Sequence, residues 1–367
     1  MILSKSIKHG IAQKVNRITN AISYLLQDTL GPYTIRLYPI GYLCNHRCPM
    51  CWRKNLVSKI KYKSFPLLEK GHLTIDEYKK LLSKLPPVTK NAEIVGGGEP
   101  LLYENIYELT ALIKKQSLSG SLITNGVLLT KKLALHLNTI NWDKIRVSVH
   151  ASNKLIYKKI NGSDTFEIVW KNIRYYLSIK NKKLNTKNTI GVLFVIQKDN
   201  YQDIFNFAKK AQHAGCDYVE FDSLYPYHKK MILSSAQGEI ALEQLQKVKK
   251  LLTIDNNVEY TINIFNTQPK TILNKNKKND DYYRNKSCMI PSESLIINQF
   301  GQIHPCCFLD FSERETIICG DLRKNEYDVW KFWKQNKYKQ IRNNLKNGHF
   351  YKTCINYCYY ILPQRSF

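Results

Sequence analysis

Three cysteines, Cys44, Cys48 and Cys51, stand at spacing C-x3-C-x2-C just after the largely apolar run Ile35-Arg36-Leu37-Tyr38-Pro39-Ile40-Gly41-Tyr42-Leu43. The run predicts a strand that delivers the chain into a short loop carrying three thiols. Thiolates are soft ligands that select zinc, copper(I) or iron–sulfur clusters. A structural zinc wants four protein ligands, and no fourth cysteine lies near this loop. Three thiolates on one small loop suit a cubane cluster that leaves one iron open to a small molecule. The plainer reading, three incidental thiols, accounts for none of the motifs that follow.

A second strand, Ala92-Glu93-Ile94-Val95, runs into Gly96-Gly97-Gly98-Glu99-Pro100. Glycines directly after a strand let the backbone approach a ligand, because no Cβ intervenes. Glu99 then offers a carboxylate to an ammonium group, although an ordinary tight turn with a solvated glutamate has the same residues. Thr124-Asn125-Gly126 closes a third strand, and Ser148 and His150 close a fourth. The cysteine loop, the Gly-Glu loop and these strand ends, in this order, resemble the radical SAM superfamily. That resemblance implies a 4Fe-4S cluster on Cys44, Cys48 and Cys51, with S-adenosylmethionine on the fourth iron. It also implies cofactor contacts from Met50, Gly97, Gly98, Glu99, Asn125 and Ser148: Met50 near the adenine, Glu99 on the amino group, and Ser148 on the carboxylate or ribose. Met50 is equally a core filler by residue type. Many members of the family carry Asp two residues after the serine, where this chain has His150. That histidine is either a substrate contact or a satisfied structural residue.

Strands and helices alternate from Tyr33 onward. Thr74 and Glu77 form a capping box before a helix that stops ahead of Pro86-Pro87, and Gly215 C-caps a helix over Ile204 to Ala211. Six strands in this rhythm, the last at Tyr218-Val219-Glu220-Phe221, imply a parallel sheet with right-handed crossovers. No G-x-G-x-x-G follows the first strand, and the residues of interest fall at the C-terminal ends of strands, as in a barrel. The expected fold is α/β, a partial (β/α)6 TIM-type barrel with a small C-terminal Cys-rich α+β extension. The expected division is an amphipathic helix over 1–32, a core over 33–255 and the extension over 256–367.

Six further cysteines follow residue 287: Cys288, Cys306, Cys307, Cys319, Cys354 and Cys358. Cys288 and Cys306 flank Gly301 as C-x12-G-x4-C, with a hairpin expected at Gly301. The pattern, with Gly320-Asp321-Leu322, Trp330, Trp333 and Arg342, resembles the SPASM/Twitch extensions that carry auxiliary clusters. The full SPASM pattern needs more cysteines than this chain has. One auxiliary 4Fe-4S on Cys288, Cys306, Cys354 and Cys358 is therefore expected, with a structural zinc on the same four as the alternative. Cys216 reads as a small core residue.

The net charge is +27, with Lys and Arg spread through Asn-rich segments. This fits either bland solvated charge or an acidic partner. No apolar run reaches the ~18 residues of a membrane span, and the start lacks a signal-peptide core. A cytoplasmic protein is expected, in which ten cysteines read as metal ligands rather than disulfides. Ile7, Ile11, Val15, Ile18, Ile22 and Leu25 share one face of a basic helix, which fits the end of the core domain or peripheral contact with a membrane or partner. The expected function is reductive cleavage of S-adenosylmethionine to a 5′-deoxyadenosyl radical that abstracts a hydrogen from a peptide or protein. A sugar or other small alcohol is the alternative substrate. An electron donor such as flavodoxin or ferredoxin is implied. A molybdopterin-type cyclase is disfavoured, because Leu362–Phe367 lacks the paired glycines expected there. A basic, metal-stapled nucleic-acid-binding module is the non-enzymatic reading, and it leaves the Gly-Glu loop without a purpose.

Overall fold

The computed structural model describes residues 30–41, 43–51, 72–180, 188–224, 229–254, 258–263, 287–307, 318–351 and 354. Residues 1–29 of the expected N-terminal helix, and Cys358, lie outside them. Seven strands follow in chain order, each parallel to the one before: β1 (Thr34–Leu37), β2 (Asn91–Ile94), β3 (Ser119–Thr124), β4 (Lys144–Ser148), β5 (Thr189–Ile196), β6 (Tyr218–Ser223) and β7 (Glu259–Asn263). The helices between them are α1 (Ile75–Ser83), α2 (Ile106–Lys115), α3 (Lys131–Thr139), α4 (Lys154–Asn161), α5 (Phe166–Lys180), α6 (Ile204–Ala214) and α7 (Ser235–Ile254). All six expected strands form, and β7 adds one that the sequence reading did not include. The capping box closes α1, with Thr74 and Glu77 bonding each other's backbone N–H. Gly215 caps α6 at φ +80°.

The extension continues the same sheet. After the short α8 (Ile290–Glu293), β8 (Ser294–Ile297) pairs parallel with β1 on the side away from β2. β9 (Gln302–His304) and β10 (Gly320–Asp321) add antiparallel, and Gly301 sits in the β8–β9 turn at φ +79°. Helices α9 (Val329–Trp333) and α10 (Asn336–Lys346) complete it, with the Arg342 guanidinium stacked 4.3 Å from the Trp333 ring. The described strands form an open sheet with β7 and β10 at its edges, a partial barrel.

Alternation along the strands separates two faces. Ile35, Leu37, Ile94, Leu122, Val147, Phe194 and Phe221 are buried in the core shared with the helices. The opposite face carries charge: Arg36 pairs with Glu93 at 2.8 Å, and Arg146 Nη1 lies 3.0 Å from Glu220. Two aspartates pin the N-terminal strand ends. Asp143 accepts from Gly120 N at 2.7 Å and pairs with Lys114, while Asp217 accepts from Ile190 N at 2.7 Å and pairs with Lys180. With these ends tied down, the C-terminal ends are left to carry loops. Arg323 docks the extension on α1, its Nε 2.6 Å from Glu77 Oε1, where Tyr327 Oη also donates at 2.6 Å.

Candidate active site

The cysteine loop leaves the end of β1 and lies directly on the Gly-Glu loop of β2. Leu43 O accepts from Glu99 N at 2.7 Å. Gly98 is where the two backbones touch: a Cβ there would stand 2.7 Å from the Leu43 carbonyl carbon and closer still to its oxygen. Only glycine permits this approach. Gly97 lies buried in the same loop.

Glu99 is 2% exposed. Its carboxylate accepts from Thr124 Oγ1 at 2.7 Å, Asn125 N at 2.7 Å and Leu101 N at 3.1 Å. No ion pair reaches it among the described residues. Burial pushes its carboxyl up to about 7, and the bonds from Asn125, Thr124 and Leu101 pull the other way. Oriented by three donors and with no ion pair among the described residues, this buried carboxylate has the chemistry to receive a cation.

Asn125, at the end of β3, joins the two loops. Its backbone holds Glu99, while its Nδ2 donates to Asn45 Oδ1 at 2.6 Å and lies 3.9 Å from Cys44 Sγ. His46 N–H also points at Cys44 Sγ, at 3.4 Å. All three thiols, Cys44, Cys48 and Cys51, are partly exposed, and none is in a disulfide. Among the described residues, no three His, Cys, Asp or Glu side chains form a site for a single metal ion. A cluster differs in that each thiolate takes its own iron.

Residues that the sequence reading did not single out also reach the cysteine loop. Asn161 at the end of α4 donates to Val149 O at 2.8 Å and places Oδ1 3.9 Å from Cys48 Sγ. Gly162, at φ +59°, lies against Arg47, where a Cβ would stand 2.8 Å from the carbonyl carbon. Thr165 Oγ1 gathers His46 Nε2 at 3.1 Å, Tyr157 Oη at 3.2 Å and Ser163 Oγ at 3.0 Å. The turn-forming run Asn161-Gly162-Ser163-Asp164-Thr165 was the available signal. Met50 Sδ accepts from Gln197 Nε2, beyond the end of β5, at 3.1 Å. Ser148 ends β4 half-buried, in register with Leu193.

His150 has a structural role. Its Nδ1 accepts from Val195 N at 3.0 Å, and its carbonyl accepts from Asn200 Nδ2 at 3.0 Å. Burial, with His46 and Arg146 nearby, lowers its pKa to about 3, so the ring is neutral. In the extension, Cys288, Cys306 and Cys354 are buried, as is Cys319, whose thiol burial pushes up to about 12. Cys216 is buried in the core.

The fold is shared with known structures. Streptococcus suis SuiB bound to S-adenosylmethionine superposes with a TM-score of 0.62 at 14% identity, covering 96% of this chain and 75% of that one. A structure of anSMEcpe with bound AdoMet gives a TM-score of 0.59 at 16% identity, covering 85% and 83%. In sequence, a probable GTP 3′,8-cyclase of Saccharolobus islandicus is 32% identical over 199 residues, 51% of this chain and 56% of that protein. The chain thus spans about half the length of this curated relative. A tungsten-containing aldehyde ferredoxin oxidoreductase cofactor-modifying protein of Pyrococcus furiosus is 23% identical over 326 residues, 85% and 83% of the two chains. The family description of the Radical SAM superfamily matches residues 38–211, and that of the SPASM iron–sulfur cluster-binding domain matches 288–359. The chain thus carries a Radical SAM domain over residues 38–211 and a SPASM domain over residues 288–359. Its domains imply 4Fe-4S clusters and S-adenosylmethionine as cofactors.

Proposed function

We propose that this enzyme abstracts hydrogen from a peptide or protein substrate, with S-adenosylmethionine as its radical source. The carrying observation is the junction of the cysteine loop with a buried carboxylate that no ion pair reaches among the described residues, made by Leu43 O and Glu99 N across Gly98. When bound, the cluster and S-adenosylmethionine supply one-electron cleavage of a carbon–sulfur bond and the hydrogen-abstracting carbon radical. Cys44, Cys48 and Cys51 hold the cluster. Glu99 would take the cofactor's ammonium group, and Thr124 Oγ1 and Asn125 N fix the Glu99 carboxylate by donating to it. Met50, Gly97 and Ser148 line the rest of the cofactor. Cys288, Cys306, Cys354 and Cys358 hold one auxiliary cluster, and a flavodoxin or ferredoxin delivers the electron. The protein works in the cytoplasm; no helix among the described residues is long and apolar enough to cross a membrane.

The peptide level rests on relatives of the whole chain. The same fold covers 96% of this chain in SuiB bound to its precursor peptide SuiA, at TM-score 0.59. A nucleotide substrate is favoured by the 32% identity to the GTP 3′,8-cyclases, which covers about half the chain. Two additions to the reduced, anaerobically reconstituted protein separate these readings. Peptides encoded beside its gene are expected to raise 5′-deoxyadenosine release and to leave with altered mass. GTP consumed in step with 5′-deoxyadenosine would move the enzyme to the nucleotide class.

A further inference from the structure

Asn125 is bound on both sides. Its backbone N–H is 2.7 Å from Glu99 Oε2, its Oδ1 accepts from Val127 N at 3.0 Å, and its Nδ2 faces Asn45 Oδ1 at 2.6 Å and Cys44 Sγ at 3.9 Å. The bond from Val127 fixes which way the amide points, because an N–H donor there requires the oxygen. Nδ2 is thereby directed at the cysteine loop. The residue is 8% exposed, and its bond to Glu99 forms with little competition from water. His46 N and Asn125 Nδ2 both face Cys44 Sγ; the first is backbone, whereas the second belongs to a side chain that can be removed.

We propose that Asn125 is a positioning residue for Cys44: its amide sets the electron density on that sulfur and hence the reduction potential of the cluster. Resting on the function proposed above, this assigns the side chain to the cluster ligand rather than to S-adenosylmethionine. An N–H directed at a thiolate withdraws negative charge and favours the reduced cluster. Asn45 competes for the same N–H group, because Nδ2 is shared between its Oδ1 and the sulfur. The two asparagines therefore act on the potential in opposite senses. Removing Asn125 takes the donor away and lowers the potential. Removing Asn45 leaves Nδ2 the sulfur alone and raises it.

The test is an anaerobic redox titration of the reconstituted parent, Asn125→Ala and Asn45→Ala, followed by EPR of the reduced cluster, with iron and sulfide measured on each sample. The expected result is a potential more negative than the parent's in Asn125→Ala and less negative in Asn45→Ala. A purely structural role for the pair predicts lost iron in both variants with no change in the potential of the cluster that remains, and that result would overturn the proposal. Shifts of the same sign in both would overturn it as well. Should Asn125→Ala take up no cluster, Asn45→Ala decides alone: Asn45 is exposed on the loop, and an unmoved or lowered potential there sinks the idea. A parent whose cluster signal ignores S-adenosylmethionine would instead contradict the proposed function, an outcome visible before any variant is made.

Discussion

Replacing Gly98 with alanine places a methyl group 2.7 Å from the Leu43 carbonyl carbon and closer to its oxygen. The obstacle is backbone, held by β1 below and the cysteine loop above, so no rotamer change relieves it. Overpacking of this kind costs about 1–3 kcal/mol. Separating the loops also breaks the 2.7 Å bond from Glu99 N to Leu43 O, worth roughly 0.5–1.5 kcal/mol more. The combined destabilisation is about 1.5–4.5 kcal/mol. Gly96 provides the control in the same glycine run, since a Cβ there first meets Gly41 O at 3.6 Å, an ordinary contact. Urea unfolding followed by tryptophan fluorescence, with iron content measured after reconstitution, reads both effects. Gly98→Ala is expected to lower the midpoint and the iron bound, and Gly96→Ala to stay within about 1 kcal/mol of the parent. Equal midpoints and equal iron in the two variants would refute the claim that Gly98 joins the loops.

Three further outcomes follow from the same structure. Glu99 has its pKa raised to about 7, and an ammonium ligand needs the ionised form, so affinity for S-adenosylmethionine should fall about tenfold per pH unit below 7. Calorimetry across pH 5–8 measures this, and a flat profile contradicts it. In the ligand-free protein the sign is opposite: the raised pKa contributes stability below about 4.5 that is lost as pH rises through 7. Glu77 is held down to about 2, its desolvation outweighed by bonds from Arg323, Tyr327 and Thr74. Its contribution is complete above the ordinary 4.5 and disappears as pH falls through 2, so Glu77→Gln should shorten the resistance of the extension to limited proteolysis at pH 7 and make no difference near pH 2. The partly exposed Arg323 limits the stability change to about 1 kcal/mol. Cys306→Ser should leave about four irons per chain where the parent holds about eight; an unchanged iron count would remove Cys306 from the auxiliary site.

Much of the site was legible because each motif had a local cause. The C-x3-C-x2-C loop, the glycine run and Glu99 sit immediately after strands whose apolar patterns mark their ends, and the barrel rule carries them to one rim. Thr74, Glu77, Gly215 and Gly301 were readable as caps and turns for the same reason: their conformational demands are met within a few residues. What was not legible depends on distant partners. Asn161 and Thr165 meet the cysteine loop more than a hundred residues from it in sequence. The parallel pairing of β8 with β1 could not be inferred from a hairpin at Gly301. β7, Glu259–Asn263, follows a long helix in an Asn- and Lys-rich region and has too few apolar residues to announce a strand. The charged face of Arg36, Glu93, Arg146 and Glu220 was hidden because the partners of each pair lie on different strands. His150 was left open between two roles, and only Val195 N decides between them.

The central claim is that the three thiols and the Glu99 carboxylate serve one ligand. EPR of the reduced cluster, recorded with and without S-adenosylmethionine, tests it most directly. The parent should change spectrum on adding the cofactor, Cys48→Ala should lose the signal of this cluster, and Glu99→Gln should keep the signal while needing far more cofactor to change it. A Glu99→Gln spectrum that responds at the parent's concentration, or a Cys48→Ala protein with this cluster intact, would contradict the account.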